Sequence, residues 1–171
     1  MTSHRLVAFG LAATVFLLDR VTKGIIRSHV SPWDTYVVIP GFFHIVHTEN
    51  RGAAFGLLAN SDSEWRTFFL VGLSILVLAL VASVMWQPSS PSHSRALGAG
   101  LSLLFGGALG NLYDRITHGT VTDFLEFFIG QYHWPAFNVA DSAITVGAGL
   151  LLLDLWLSRR INRGHAKGAE S

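Results

Sequence analysis

There is no cysteine among the 171 residues. Disulfides, thiolate metal sites and a cysteine nucleophile are excluded with it. Charge is also scarce. Asp, Glu, Lys and Arg make up 13% of the chain, where a soluble domain carries about a quarter. Lysine occurs only at positions 23 and 167. A Ser–Lys dyad would need Lys23, which already has Asp19 four residues before it, or Lys167 in the tail. The net charge of +1 gives no footprint for nucleic acid. There is no His-Glu-x-x-His zinc motif, no Gly-x-Ser-x-Gly elbow and no phosphate-cradling loop. His44 and His47 lie three apart in a strand-like segment, so they point to opposite faces and form no metal pair. No internal repeat is visible, and nothing calls for a cofactor.

What the chain has is apolar length. Half of its residues are hydrophobic, and they come in blocks. Residues 6–18 are uncharged, and the apolar pattern runs on to 26, broken by Asp19, Arg20 and Lys23. Residues 68–86 and 96–113 carry no charge, and 137–157 carry only Asp141 and Asp154. About 20 apolar residues span a bilayer as a helix. The expected fold is therefore an all-α membrane protein forming a single domain. Four transmembrane helices are expected over 6–26, 68–86, 96–114 and 137–157. The first block has Arg5 before it but no small-x-small cleavage site after it, so it reads as a retained helix.

The connections differ in kind. Residues 87–94 are short and rich in Ser and Pro, a turn between antiparallel helices. Residues 27–66 contain two β-branched and aromatic runs, 36–39 and 42–48, separated by Pro40-Gly41. They predict a small β-rich extramembrane segment at the membrane surface. Residues 116–135 carry aromatics suited to an interface. The tail, 158–171, reads as soluble and mobile.

Alternating spans bring distant polar residues to one membrane face. Asp19 and Lys23 end the first helix, and their i,i+4 spacing puts them on one side of it. Asn111, Asp114 and Arg115 end the third, Asn138 and Asp141 begin the fourth, and Asp123 lies between them. Such residues in a span usually face the bundle interior. Asp19–Lys23 and Asp114–Arg115 could simply neutralise each other. Asp123 and Asp141 have no cation close in sequence, which favours a functional role. Asp154 lies near Arg159 and Arg160 and reads as an interfacial or paired acid. Gly98, Ser102, Gly106 and Gly110, four apart, make a small-residue stripe for close helix packing.

Two carboxylates in a low-dielectric site cannot easily both ionise, so they share a proton. One then polarises a carbonyl while the other activates water, which is aspartic-peptidase chemistry. The same acids would suit a proton- or cation-coupled transporter. However, a transport pathway needs polar groups through the bilayer, and here they gather at one end. A membrane scaffold needs no unpaired acids.

Five blocks go further. They are Asp19-Arg20-Val21-Thr22-Lys23; residues 48–56, with Asn50-Arg51-Gly52 at their centre; residues 106–115, ending in Asn111-Leu112-Tyr113-Asp114-Arg115; Gly119-Thr120-Val121-Thr122-Asp123-Phe124; and Phe137-Asn138-Val139-Ala140-Asp141-Ser142. In this order, over nearly the whole chain, the sequence resembles the lipoprotein signal peptidase, or signal peptidase II, family. The resemblance implies an aspartic endopeptidase of the bacterial inner membrane with Asp123 and Asp141 as its catalytic dyad. Asn111, Arg115 and Asn138 match supporting positions. Asn50, Gly52, Asp19, Lys23 and Asp114 match positions shared between structure and substrate binding. The implied partners are membrane lipids and a diacylglyceryl-modified prolipoprotein, cut before the lipidated cysteine; no nucleic acid and no obligate protein partner follow. Residues 27–66 could cover the substrate.

Orientation does not follow from charge counting. Six basic residues fall on the termini side and six on the other. Long loops count less in that rule, which tilts the termini towards the cytoplasm and the acids towards the outer face. The resemblance implies the same.

Overall fold

A computed structural model describes residues 3–52, 63–87 and 94–168. Helix α1 is Ser3–His29, followed by strands β1, Thr35–Ile39, and β2, Phe43–Asn50. Helices α2, Ser63–Trp86, and α3, Arg95–His118, come next. Strands β3, Val121–Ile129, and β4, Tyr132–Phe137, lead into α4, Val139–Gly168. The expected turn at 87–94 and the Ala53–Gly56 part of the second motif fall largely outside the described residues.

The helices follow the apolar blocks because each block must hide its backbone polar groups in helical hydrogen bonds. Among the described residues, three helices are long and apolar enough to cross a membrane: Trp65–Trp86, Arg95–His118 and Val139–Arg160. Helix α1 carries more charge but turns it inward. Asp19 and Lys23 are fully buried, while Leu6, Val7, Leu17, Leu18, Val21 and Ile25 face out. Phe68, Leu76 and Leu80 likewise face out on α2. Apolar faces of this extent are rare on soluble monomers and are what lipid requires. The helix starting at Val139 continues to Gly168, well past the apolar block that was expected to end it at 157.

Helix α3 is the hub, packed against α1, α2 and α4. Its glycines make this possible, though not as one stripe. A Cβ on Gly106 would sit 2.5 Å from the Ala12 carbonyl oxygen of α1. One on Gly107 would sit 2.5 Å from the Ala140 carbonyl oxygen of α4. Gly98 meets nothing within 4 Å, so it falls outside the packing role expected of it. Gly107→Ala forces two backbones apart. We expect it to destabilise the protein by about 1–3 kcal/mol, the usual cost of overpacking, measured as a lower thermal-unfolding midpoint in detergent. Gly98→Ala serves as the silent control.

The β-rich segment between α1 and α2 is half of a larger sheet. Four antiparallel strands run in the order β1-β2-β3-β4, so the 116–135 connection contributes two of them. Strands β2 and β3 join the two connections, with Thr48 opposite Asp123, Glu49 opposite Thr122 and Asn50 opposite Val121. Alternation along β3 turns Phe124 to the far side from Asp123. Phe124 packs with Ile26 and Val30 of the α1 end, beside Ile45, Leu125 and Val139. That cluster seats the sheet on the helix ends and fixes the height of Asp123.

Candidate active site

The first turn of α4 is built by its cap. Asn138 precedes the helix, and its Oδ1 accepts from the Asp141 backbone N–H at 2.8 Å. The Asp141 carboxylate reaches back to the Asn138 N–H at 3.3 Å. This reciprocal arrangement is a capping box with an acid at its third position. It satisfies orphan donors of the helix start and sets the direction of Asp141. With Oδ1 committed, the Asn138 amide nitrogen must face the other way. It donates to Asp123 Oδ1 at 2.6 Å. One fully buried asparagine thus holds both aspartates.

Two further asparagines complete the frame. Gly52 N–H donates to Asn50 Oδ1 at 2.7 Å, which turns the Asn50 amide nitrogen to Asp123 Oδ2 at 2.9 Å. Gly52 has φ +83, and a Cβ there would lie 2.1 Å from Leu70 Cδ1. The left-handed backbone favours glycine, and a side chain there would also have to displace the Leu70 methyl. Asn111, on α3, donates to Asp141 Oδ1 at 2.8 Å. Arg115, one turn on, makes a long 3.5 Å contact to the Asn111 carbonyl, and its charge couples to Asp141 and then to Asp123.

Burial pushes the Asp123 carboxyl up to about 7, and the Asp141 charge adds to that rise. Hydrogen bonds from Asn50 and Asn138, and the Lys23 charge, work against it. Asp141 is the more accessible of the two, being half-buried where Asp123 is buried. A carboxyl raised this far is partly protonated near neutral pH.

Behind the pair lies a charged cluster. Lys23 Nζ is 2.8 Å from Asp19 and 2.9 Å from Asp114, all three with fully buried side chains. Asp114 also pairs with Arg20 and with Arg27 at 3.0 Å. Asp19 reaches across to the Ala140 N–H of α4 at 3.0 Å. Gly110 makes room for this, since a Cβ there would sit 2.5 Å from Asp19 Oδ2. Outside the helices, burial alone would raise Glu49, but hydrogen bonds from Thr120, His47 and Thr122 and the nearby Arg27 hold it below the usual carboxylate range.

Most residues singled out in the sequence converge here: Asp123, Asp141, Asn111, Asn138, Asn50, Asp19, Lys23 and Asp114, with Gly52 and Arg115 at the margin. The supposed Asp114–Arg115 pairing does not occur. Neighbours in a helix point about 100° apart, and Asp114 turns to α1 instead. Asp154 accepts a hydrogen bond from Ser94, the cap of α3, and Arg160 stacks on Trp156. Arg20, Arg27, Glu49 and Thr122 were overlooked as site residues. The spacing of Arg20, Lys23 and Arg27, three and four apart, marks one helix face and was signal enough for the first two.

Four helices that bury charge inward and turn apolar surface outward, with two aspartates held by asparagines at one end, place this chain among membrane proteins that carry a buried carboxylate pair. The family model described as Signal peptidase (SPase) II matches residues 11–157. A lipoprotein signal peptidase of Solibacter usitatus is 52% identical over 160 residues, covering 94% of this chain and 96% of that one. One of Desulforapulum autotrophicum is 45% identical over 148 residues, covering 86% and 90%. A solved bacterial membrane enzyme structure, obtained by the in meso method, superposes with a TM-score of 0.78 at 33% identity, covering 90% of this chain and 89% of that one. This chain belongs to the signal peptidase II family of aspartic peptidases. It is a multi-pass membrane protein. Among the described residues, no group of three or more His, Asp or Glu could hold a metal ion.

Proposed function

We propose that Asp123 and Asp141 form the dyad that removes signal peptides from prolipoproteins bearing diacylglycerol on the lipobox cysteine, cutting just before that cysteine. The observation that carries this is the Asn138 bridge, which contacts Asp123 at 2.6 Å and Asp141 at 3.3 Å. Asp141 takes a proton from water as the water oxygen attacks the scissile carbonyl carbon. Protonated Asp123 donates to the carbonyl oxygen, giving a neutral tetrahedral diol. On collapse the C–N bond breaks, the cysteine nitrogen gains a proton and the new carboxyl group leaves with the signal peptide.

The surroundings suit such a substrate. A signal peptide is itself an apolar helix and can enter sideways from lipid. Helix α2 packs chiefly on α3, so the flanks of α2 are the natural entry. The diacylglyceryl chains stay in the bilayer while the scissile bond reaches the helix ends. The termini then lie in the cytoplasm and the dyad at the outer face of the inner membrane.

The test is cleavage by the purified chain in lipid of a diacylglyceryl-modified peptide and of its unlipidated twin. Only the lipidated peptide is expected to be cut, and cutting neither would reject the reading. The same assay gives the pH dependence. Asp123 must be protonated to act as the acid, and its pKa is about 7. The basic limb of the activity therefore declines as pH rises through that value.

A further inference from the structure

Lys23 is buried among the helices, away from any surface a substrate could reach. Its ammonium forms ion pairs with Asp19 Oδ2 at 2.8 Å and Asp114 Oδ2 at 2.9 Å. It also donates a hydrogen bond to Asn111 Oδ1 at 2.9 Å. That bond decides which end of the Asn111 amide meets the dyad. With Oδ1 held by an ammonium, the Nδ2 group must face Asp141 Oδ1, and it does so at 2.8 Å. The Asn138 amide also points at Asn111 Oδ1, but at 3.4 Å and while bonded to Asp123 at 2.6 Å. It is the weaker anchor. A charge-assisted hydrogen bond is roughly twice as strong as a neutral one.

We infer that Lys23 is a positioning residue for the reaction: through Asn111 it fixes the N–H donor that keeps Asp141 an ionised base. A flipped Asn111 would offer its oxygen to Asp141 and require that carboxyl to be protonated. Asp141 could then no longer take a proton from water. The inference rests on the dyad reading above. The charged groups around this line are Asp19, Arg20 and Arg27 from α1, Asp114 and Arg115 from α3, and Asp123 from β3, with Glu49 of β2 behind Arg27.

The experiment compares wild type with Lys23→Met and with the Asp19→Asn/Lys23→Met double variant, all full-length in lipid, on the lipidated peptide. The double variant removes one buried anion with the cation, and Asp114 keeps Arg20 and Arg27. Both variants are expected to lose about ten- to a hundredfold in kcat with KM nearly unchanged, the cost of one hydrogen bond to a charged group. The acid limb of kcat/KM should move to higher pH, because Asp141 loses a bond that favours its ionised form. If the single variant does not fold, the double variant carries the test. Recovery of wild-type kcat in the double variant, with only a lower unfolding temperature, makes Lys23 structural and overturns the inference. A lowered kcat with an unmoved acid limb overturns it too. Failure of the dyad reading looks different: Asp123→Asn or Asp141→Asn would then still cut, whatever Lys23 does.

Discussion

Asp123→Asn and Asp141→Asn should each reduce turnover of the lipidated peptide on the order of 10⁴-fold, and the double variant should be no worse than either. Proton transfer by a placed group supplies about 10²–10⁴ of rate, and groups that act as a unit are lost together. Asparagine is the closest replacement in size, and it keeps one of the two bonds that each carboxylate accepts. At 123 the introduced amide oxygen still accepts from Asn138, as Asp123 Oδ1 does at 2.6 Å. At 141 it still accepts from Asn111, as Asp141 Oδ1 does at 2.8 Å. What is lost is the exchangeable proton, together with the bond accepted by the second oxygen, from Asn50 at 123 and from the Asn138 N–H at 141. Single-turnover cleavage with an unfolding curve for each variant separates chemistry from folding. Retained cleavage in both folded variants would remove the pair from the mechanism. Additive losses would mean that the two carboxyls act independently.

Asp114→Ala should be the most damaging change to stability, at about 3–5 kcal/mol, the range for breaking a buried ion pair from one side. Its carboxylate is fully buried and faces Lys23, Arg20 and Arg27 together. Removing it leaves three cations with Asp19 and the more distant Glu49, and a buried lysine with one acid instead of two. Asp154 gives the contrast. It is half-buried and held by a serine hydroxyl, so Asp154→Asn should cost under about 1 kcal/mol. Thermal unfolding of both variants in one detergent decides. Equal midpoints would show that the inner cluster is screened by water and carries little of the fold.

Much of this arrangement could be read from residue order alone, because a bilayer restricts the choices. Uncharged runs of membrane length become helices, and alternating direction brings Asp19, Asn111, Asp114, Asn138 and Asp141 to one end. The strand pattern at 36–39 and 42–48 was equally plain. Strands β3 and β4 were not, because 116–135 reads as interfacial aromatic sequence and its partner β2 lies far away in the chain. Long-range pairing leaves no local mark. The bonding sense of the three asparagines was also hidden. It depends on Gly52 N–H, Asp141 N–H and Lys23 Nζ, which come from three different elements. The partners of Asp114 were hidden for the same reason, since they lie on α1.

The separation of Arg20 from Asp114 by 94 residues also bears on how the protein is made. At about 5–20 residues per second, the ribosome needs roughly 5–20 s to deliver the acid after the arginine. During that interval α1 must hold Arg20, Lys23 and Arg27 with only Asp19 and the more distant Glu49 to balance them. It therefore settles fully only when α3 arrives, and Asp141 comes later still. On the proposed reading, a half-made chain carries no assembled dyad and gains one only when its last helix has entered the bilayer.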